Sequence, residues 1–367
     1  MQRRKFLTST GAGLVGTAAL ALTGKALADA PEVKWRMASS FPKSLDTIFG
    51  GGEVLAKRVA AMTGGKFQIQ IFGTGEIVPG LGVLDAVKDG TVQMGHTASY
   101  YFVGKDPTFA FDTAMPFGLN SRQQNAWMYE GGGLVLMRDF FKDYNIYQIP
   151  AGNTGAQMGG WYRKEIKTIE DLKGLKFRIG GFAGQVLQKL GVVALQLPGN
   201  EIYPALEKGA IDAAEWVGPY DDEKLGFSKV AKYYYYPGWW EGGPQLSAYI
   251  NLAEWAKLPP EYQAILESAC AHANIDMQAK YDGKNPPALK RLVGSGTQLR
   301  PFSNEIMAAC YKAALELYEE TAAKNPKFAR IYAPWKRFRD EQIEWFSLCE
   351  GRFDSFMAAT VRLGQKK

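Results

Sequence analysis

The chain shifts repeatedly between two hydrophobic periods. Residues 67–72 (FQIQIF) alternate strictly between apolar and polar, the pattern of a half-buried strand. Residues 33–39 (VKWRMAS), 92–95 and 146–150 read as further strands. Between them apolar residues recur at helical spacing, and the runs stop at glycine: residues 53–62 before Thr63-Gly64-Gly65, and residues 84–89 before Gly90. Gly50-Gly51-Gly52 leads into the first of these helices, and residues 125–144 contain a helix rich in large side chains. This order predicts an α/β fold with a mostly parallel sheet and right-handed crossovers.

Residues 175–216 are the most legible stretch. Leu175, Phe177 and Ile179 alternate with Lys176 and Arg178, so they form a half-buried strand with Arg178 on its polar face. Gly180-Gly181 ends it. Val186, Leu187 and Leu190 then have helical spacing up to Gly191. Arg178 therefore stands at the carboxyl end of a strand, just before a helix N-terminus. Ligands of open α/β sheets collect at that edge. The helix start favours an anion, and an arginine can grip a carboxylate through two parallel hydrogen bonds. Residues 202–209 read as a short helix, followed by a strand-like segment ending in Glu215 and Trp216. An acid beside an anion-binding arginine is costly unless it is paired, with Lys208 or Lys224 for example, or binds a cation.

Other segments frame this one. Tyr100, Tyr101 and Phe102 follow a strand at its carboxyl edge. Residues 152–160 are Gly-rich, cross between lobes and contain Gln157. Residues 233–243 (YYYYPGWWEGG) are the densest aromatic run. They form either a packed hinge or a cleft wall, with Trp239 and Trp240 lining it and Glu241 facing inward. From Pro244 a strand returns to the first lobe, and Pro259-Pro260 starts a long helix over 261–280. Helices at 304–324 and 336–363 close the chain. Trp335, Phe338, Trp345, Phe346, Phe353 and Phe356 exceed what one face of an edge helix needs, so they pack on the body or on another subunit.

Composition narrows the classes. Residues 1–28 have a basic start, an apolar middle and an Ala26-Leu27-Ala28 end, as an export signal has. The GxGxxG match at residues 11–16 lies inside that segment with no strand before it, and is a chance match. The formal charge of +6 counts Arg3, Arg4, Lys5 and Lys25. Without them the charge is close to balanced, which gives no reason to invoke nucleic acid or an anionic membrane. Cys270, Cys310 and Cys349 are far apart and read as small buried hydrophobes. His96 and His272 are not spaced as a metal pair, and no zinc or iron site is indicated.

The order helix, Gly209, Ala210, Ile211-Asp212, Glu215-Trp216 resembles the solute-binding subunits of tripartite ATP-independent periplasmic (TRAP) transporters. So does the strand from Gly174 to Arg178 some forty residues earlier. Residues 40–77, 82–101 and the Pro-Phe turn at 115–119 extend the resemblance over the mature chain. Arg3-Arg4-Lys5-Phe6-Leu7 resembles a twin-arginine signal.

The resemblance implies a two-lobed periplasmic binding protein (type II-like) with hinge-crossing segments, a long connecting helix and C-terminal helices. It divides the chain into a signal at 1–28, a first lobe at 29–153 to which 244–300 returns, a second lobe at 154–243, and C-terminal helices at 301–367. It makes Arg178 the carboxylate anchor, with Gln157, Trp216 and Tyr101 touching the ligand. In relatives that bind 2-oxo or 2-hydroxy acids, the acid matching Glu215 holds a sodium or calcium ion. The carbonyl of the residue matching Trp216 and the side chain matching Gln157 complete the oxygen set, and Glu241 is a further candidate ligand. The implied function is a receptor, not an enzyme, for a small 2-oxo acid such as pyruvate, delivering it in the periplasm to a membrane permease and working as a homodimer. The alternatives are a receptor for lactate or a dicarboxylate, and a cofactor-dependent periplasmic enzyme. No cofactor motif, Cys/His cluster or nucleophile–base arrangement supports the enzyme.

Overall fold

Two sheets organise the molecule, and each draws strands from both halves of the chain. The computed structural model describes residues 31–364; the expected export signal lies outside them. The strands are β1 (Val33–Ser39), β2 (Phe67–Phe72), β3 (Met94–Thr97), β4 (Ile146–Asn153), β5 (Trp161–Tyr162), β6 (Lys176–Arg178), β7 (Val193–Leu195), β8 (Ala213–Ala214), β9 (Tyr233–Tyr236), β10 (Gln245–Asn251) and β11 (Gln298–Pro301). The first sheet has the order β2-β1-β3-β10-β4, the second β11-β9-β5-β8-β6-β7. β1 is parallel to β2 and β3, while β10 runs antiparallel to both of its neighbours. In the second sheet β6, β7 and β8 are parallel and β5 is reversed against β8 and β9. This is the α/β architecture that the strand–helix rhythm implied, in the two lobes that the resemblance implied.

Three segments pass between the sheets. Residues 154–160 lead from β4 to β5, and residues 237–244 lead back from β9 to β10. The two run side by side: Gln157 N donates to Glu241 O at 3.0 Å, Gly238 N to Gln157 O at 2.9 Å, and Thr154 N to Pro244 O at 3.2 Å. Gly243 must be glycine, because a Cβ there would lie 2.1 Å from the backbone nitrogen of Ser121.

The third crossing is the helix Pro260–Gly294. At 1.5 Å per residue its 35 residues span about 52 Å. Tyr262, Leu266, Ala269, Ala273 and Met277 are buried at the first lobe, and Tyr281 bonds to Asp221 of the second. The sequence reading ended this helix near Lys280. It continues through Gly283 and Pro286-Pro287 because Ala288 and Leu292 are buried beyond them. Tertiary packing offsets the broken backbone bonds. The helix delivers β11 to the edge of the second sheet, parallel to β9. Residues 298–300, expected in the first lobe, thus belong to the second sheet.

Gly50, Gly51 and Gly52 lie inside the helix Ile48–Met62 instead of leading into it. Cβ atoms on Gly51 and Gly52 would fall 2.3 Å from Met277 Cε and 2.4 Å from Ile71 Cδ1. Bare backbone lets the long helix and the sheet approach this closely. Residues 125–144 divide between two helices, Ser121–Tyr129 and Gly133–Lys142, with Gly132 at φ +82° between them.

The C-terminal region forms the helices Asn304–Lys324, Pro326–Leu348 and Glu350–Gly364. The expected single helix over 336–363 is broken between Leu348 and Glu350. Trp335 is buried against Phe111 and Tyr332, so it belongs to the body of the protein. Trp345, Phe353 and Phe356 remain 55%, 65% and 68% exposed. Cys270 and Cys310 are buried as expected, but Cys349 is exposed, because it falls between the last two helices. Among the described residues no helix is long and apolar enough to cross a membrane.

Candidate functional site

The site lies where the carboxyl ends of β6 and β8 meet the first lobe. Gly180 and Gly181 follow β6, and Gly181 adopts φ +67°. A Cβ on Gly181 would lie 2.2 Å from Tyr100 Cδ2, so only a glycine lets the two lobes close here.

Arg178 is 1% exposed. The alternation put it on the polar face of the strand, and closure of the first lobe over the strand end buries it. Its Nε donates to Leu197 O at 3.0 Å, and its Nη1 donates to Glu215 O at 2.8 Å and to Glu215 Oε1. Gly180 N adds a hydrogen bond to Glu215 Oε1 at 2.8 Å. Glu215 is therefore partnered by Arg178, not by Lys208 or Lys224; Lys224 pairs with Asp46. Burial raises the Glu215 carboxyl above its ordinary range, against the pull of Arg178 and the Gly180 amide. Glu215 Oε2 is buried without any hydrogen-bond partner. The indole of Trp216 lies 5.2 Å from the Arg178 guanidinium carbon. Burial pushes the Tyr101 phenol up to about 12, opposed by Arg178.

Gln157 approaches from the crossing segment. Its Nε2 lies 3.1 Å from Thr154 Oγ1. Its amide oxygen faces the Trp216 carbonyl oxygen at 2.5 Å and Glu241 Oε2 at 2.6 Å. Three oxygens this close repel unless a cation or a proton lies among them. Turned over, the amide would donate to Trp216 O and Glu241 Oε2 and accept from Thr154, so that orientation satisfies these oxygens without a cation. Glu241 is buried, and burial followed by the charge of Glu215 pushes its carboxyl well up. The donor set fits a hard cation: two carboxylates, an amide oxygen and a carbonyl, with Glu215 Oε2 free. Among the described residues no group of three or more His, Cys, Asp and Glu residues could hold a metal.

Arg178, Gln157, Trp216, Tyr100 and Tyr101 line one interlobe cavity of about 10 Å³, closed on the first-lobe side by Phe41, Ile48 and Leu246. Of the two readings of Trp239 and Trp240, packed hinge or cleft wall, the packing is of the first kind, and neither lines this cavity. Trp239 stacks on Phe117 at 4.9 Å, and Trp240 packs on Phe177 and Phe302. Trp240 instead borders a neighbouring cavity with Tyr100, Gly180 and Glu241. Sequence reasoning missed Thr154, Phe41, Ile48 and Leu246. Each is an ordinary residue of its own element, and only lobe closure brings it to the site.

The model of the bacterial extracellular solute-binding proteins, family 7 (DctP), matches residues 38–325. A monocarboxylate 2-oxoacid-binding periplasmic protein of Nostoc sp. is 51% identical over 98% of this chain and 100% of that one. A TRAP transporter solute-binding protein of Bordetella bronchiseptica RB50 has 51% identity and a TM-score of 0.90 over 91% of this chain and 99% of its own. It is a mixed-occupancy dimer with copurified calcium and picolinate in one active site and the other apo. A TRAP periplasmic solute-binding protein of Pseudoalteromonas atlantica T6c, with bound sodium and pyruvate, has 40% identity and a TM-score of 0.86 over 88% of this chain and 99% of its own. With its interlobe arginine and the family match running from β1 to the end of the helix Asn304–Lys324, this chain belongs to the bacterial extracellular solute-binding protein family 7, the solute-binding subunits of TRAP transporters.

Proposed function

We propose that this chain is a periplasmic receptor that closes its lobes on a small 2-oxo acid such as pyruvate, held together with a cation, and passes it to the membrane permease. The observation that carries this reading is the meeting of Gln157, Trp216 O and Glu241 oxygens, with Gln157 and Trp216 lining the same small buried cavity as Arg178. Arg178 binds the carboxylate; its guanidinium is already fixed by Leu197 and Glu215, so little order is lost on binding. Gln157, Glu241, Glu215 and the Trp216 carbonyl would hold the cation, which supplies a positive bridge between these oxygens and those of the solute. Phe41, Ile48 and Leu246 face the solute's short apolar end.

Charge and size set the class. Among the described residues Arg178 is the one cationic side chain lining the cavity. A second solute carboxylate would be buried unpaired, which disfavours dicarboxylates. Arg178, two ionised glutamates and a monocarboxylate sum to two net negative charges. Calcium cancels both and sodium one, so calcium binds more tightly at equal concentration. The chain acts as a receptor and not as an enzyme.

The relatives with bound calcium or sodium beside pyruvate or picolinate support this reading. Titration calorimetry with pyruvate, in calcium, in sodium and with both removed, tests it. Binding that needs a cation is expected; pyruvate that fails to bind under every condition overturns it.

The exposed Trp345, Phe353 and Phe356 suit a second copy of the chain. Light scattering should give a dimer, and deletion of residues 350–367 should give monomers. An intact chain that stays monomeric would remove this element of the proposal.

A further inference from the structure

Asp46 lies outside the cavity, between β1 and the helix Ile48–Met62 of the first lobe, yet its carboxylate is held from across the cleft. Tyr220 Oη donates to Asp46 Oδ2 at 3.0 Å, Lys284 Nζ donates to the same oxygen at 3.1 Å, and Lys224 Nζ pairs with Oδ1. Lys284 Nζ also lies 3.1 Å from Tyr220 Oη, so the donors form a connected group. Both ammonium groups pack on the Tyr220 ring, at 4.3 and 4.6 Å from its centroid.

The placement of these donors gives the cluster its meaning. Tyr220 and Lys224 belong to the helix Pro219–Leu225, which follows β8 in the second lobe and begins three residues after Trp216. Lys284 lies on the distal half of the long helix, between Tyr281, which bonds Asp221, and Arg291, which bonds Glu223. The partners of Asp46 are thus fixed to the second lobe, and the Tyr220 and Lys224 contacts exist only while the lobes are shut. The same helix is anchored beside the site: Asp222 Oδ1 accepts from Val217 N, next to Trp216, at 3.4 Å. Seating the Trp216 carbonyl therefore also seats Tyr220 and Lys224. The Lys224, Lys284 and Tyr220 bonds outweigh partial burial and hold the Asp46 carboxyl down to about 2.

We propose that Asp46 is a closure latch, a positioning residue that holds the lobes shut and sets how long a bound solute stays without touching that solute. The proposal rests on the reading of the chain as a two-lobed receptor. The latch is half exposed, so it is screened by salt.

The test compares wild type with Asp46→Asn, which keeps the size, and Asp46→Lys, which faces Lys224 and Lys284 with a like charge. Pyruvate dissociation in the presence of calcium is followed by stopped flow. Exposed charge clusters of this kind contribute modestly, so Asp46→Asn should raise koff about three- to tenfold and Asp46→Lys more, with smaller changes in kon. The wild-type koff should rise with added salt and that of Asp46→Asn less so. Thermal unfolding of the ligand-free Asp46→Asn protein should fall by no more than a few degrees, which separates a latch from a fold defect. A second arm needs no solute. Spin labels on Lys57→Cys and Lys208→Cys, with exposed Cys349 replaced by Ser, report the lobe separation, and Asp46→Lys should lose the short-distance population. A wild type that binds no pyruvate under any cation condition overturns the proposed function, and the distance arm then decides the latch alone. An unchanged distance distribution, or an unchanged koff where pyruvate binds, overturns the latch.

Discussion

Arg178 Nη1 donates to Glu215 twice over, to its main-chain carbonyl at 2.8 Å and to its carboxylate. One guanidinium nitrogen thereby ties the end of β6 to the residue that follows β8 and orients the group proposed to bind the solute carboxylate. A lysine reaches either acceptor but lacks the planar fork. Arg178→Lys should weaken pyruvate binding by about 1.5–3 kcal/mol, the range for hydrogen bonds to charged groups. It should also lower thermal stability, since Glu215 loses part of its compensation. Calorimetric titration of the folded variant checks the first effect, and an unchanged Kd removes Arg178 from the anchor role.

Glu241→Gln keeps the shape of the crossing segment and removes one of two buried acids. Unit charges ~4 Å apart at an effective dielectric near 20 interact by about 4 kcal/mol, so the loss of cation affinity should be large. Linkage requires the cation to tighten pyruvate by the factor with which pyruvate tightens the cation. The ratio of pyruvate Kd with and without calcium should therefore shrink in this variant. Equal ratios in both proteins would place the cation elsewhere.

Strand rhythm, the arginine edge and the crossing glutamine were all legible in the chain. The strands and the arginine edge depend on short-range pattern: FQIQIF alternates within six residues, and Arg178 stands two residues before Gly180-Gly181; Gln157 is singled out by the resemblance. The failures share a different cause. Pro286-Pro287 promise a helix end that packing on the second lobe overrides, and Gly50-Gly51-Gly52 read as a loop because Met277, which needs the space, is more than two hundred residues away. Trp239 and Trp240 fit a packed hinge and a cleft wall equally by composition, and only their contacts with Phe117 and Phe177 decide for packing. Side chains that meet only across the closed cleft leave no periodic trace.

Two glycines should respond differently to alanine. At Gly51 the added methyl meets only the flexible end of Met277. Helix propensity returns about 0.5–1 kcal/mol, so Gly51→Ala should stay within about 1 kcal/mol of wild type. At Gly243 the methyl meets the backbone of Ser121 at 2.1 and 2.5 Å, which cannot swing aside. Gly243→Ala should cost about 3 kcal/mol. Urea unfolding of both variants ranks them; equal midpoints would mean that the crossing segment is looser than its contacts imply.

Buried acids give the stability a pH dependence. Burial raises Asp222 to about 7, opposed by bonds from Tyr234 and Trp161, and Asp221 to about 6, opposed by Tyr281. The unfolded chain ionises near pH 3.9, so between there and about 7 the native state binds more protons. The stabilising contribution is complete below the unfolded pKa and is lost as pH rises through the folded ones. Unfolding free energy at pH 5 should exceed that at pH 8, and Asp222→Asn should show a smaller difference. Denaturant curves at the two pH values decide; a slope of the opposite sign would mean that Asp222 is ionised in the folded protein.

β10 lies between β3 and β4, and β11 lies at the edge beside β9. Among the described residues β4 has no sheet neighbour other than β10, so the first sheet stays unfinished until residue 251 has been synthesised, and the second until residue 301. A ribosome would hold two incomplete sheets through most of translation, with aromatic strand β9 uncovered on one edge. Such long-range closure makes folding slow and late. No cut of the chain into consecutive pieces separates the lobes as independently folding units, and a permuted chain opened between them would have to keep both returning strands.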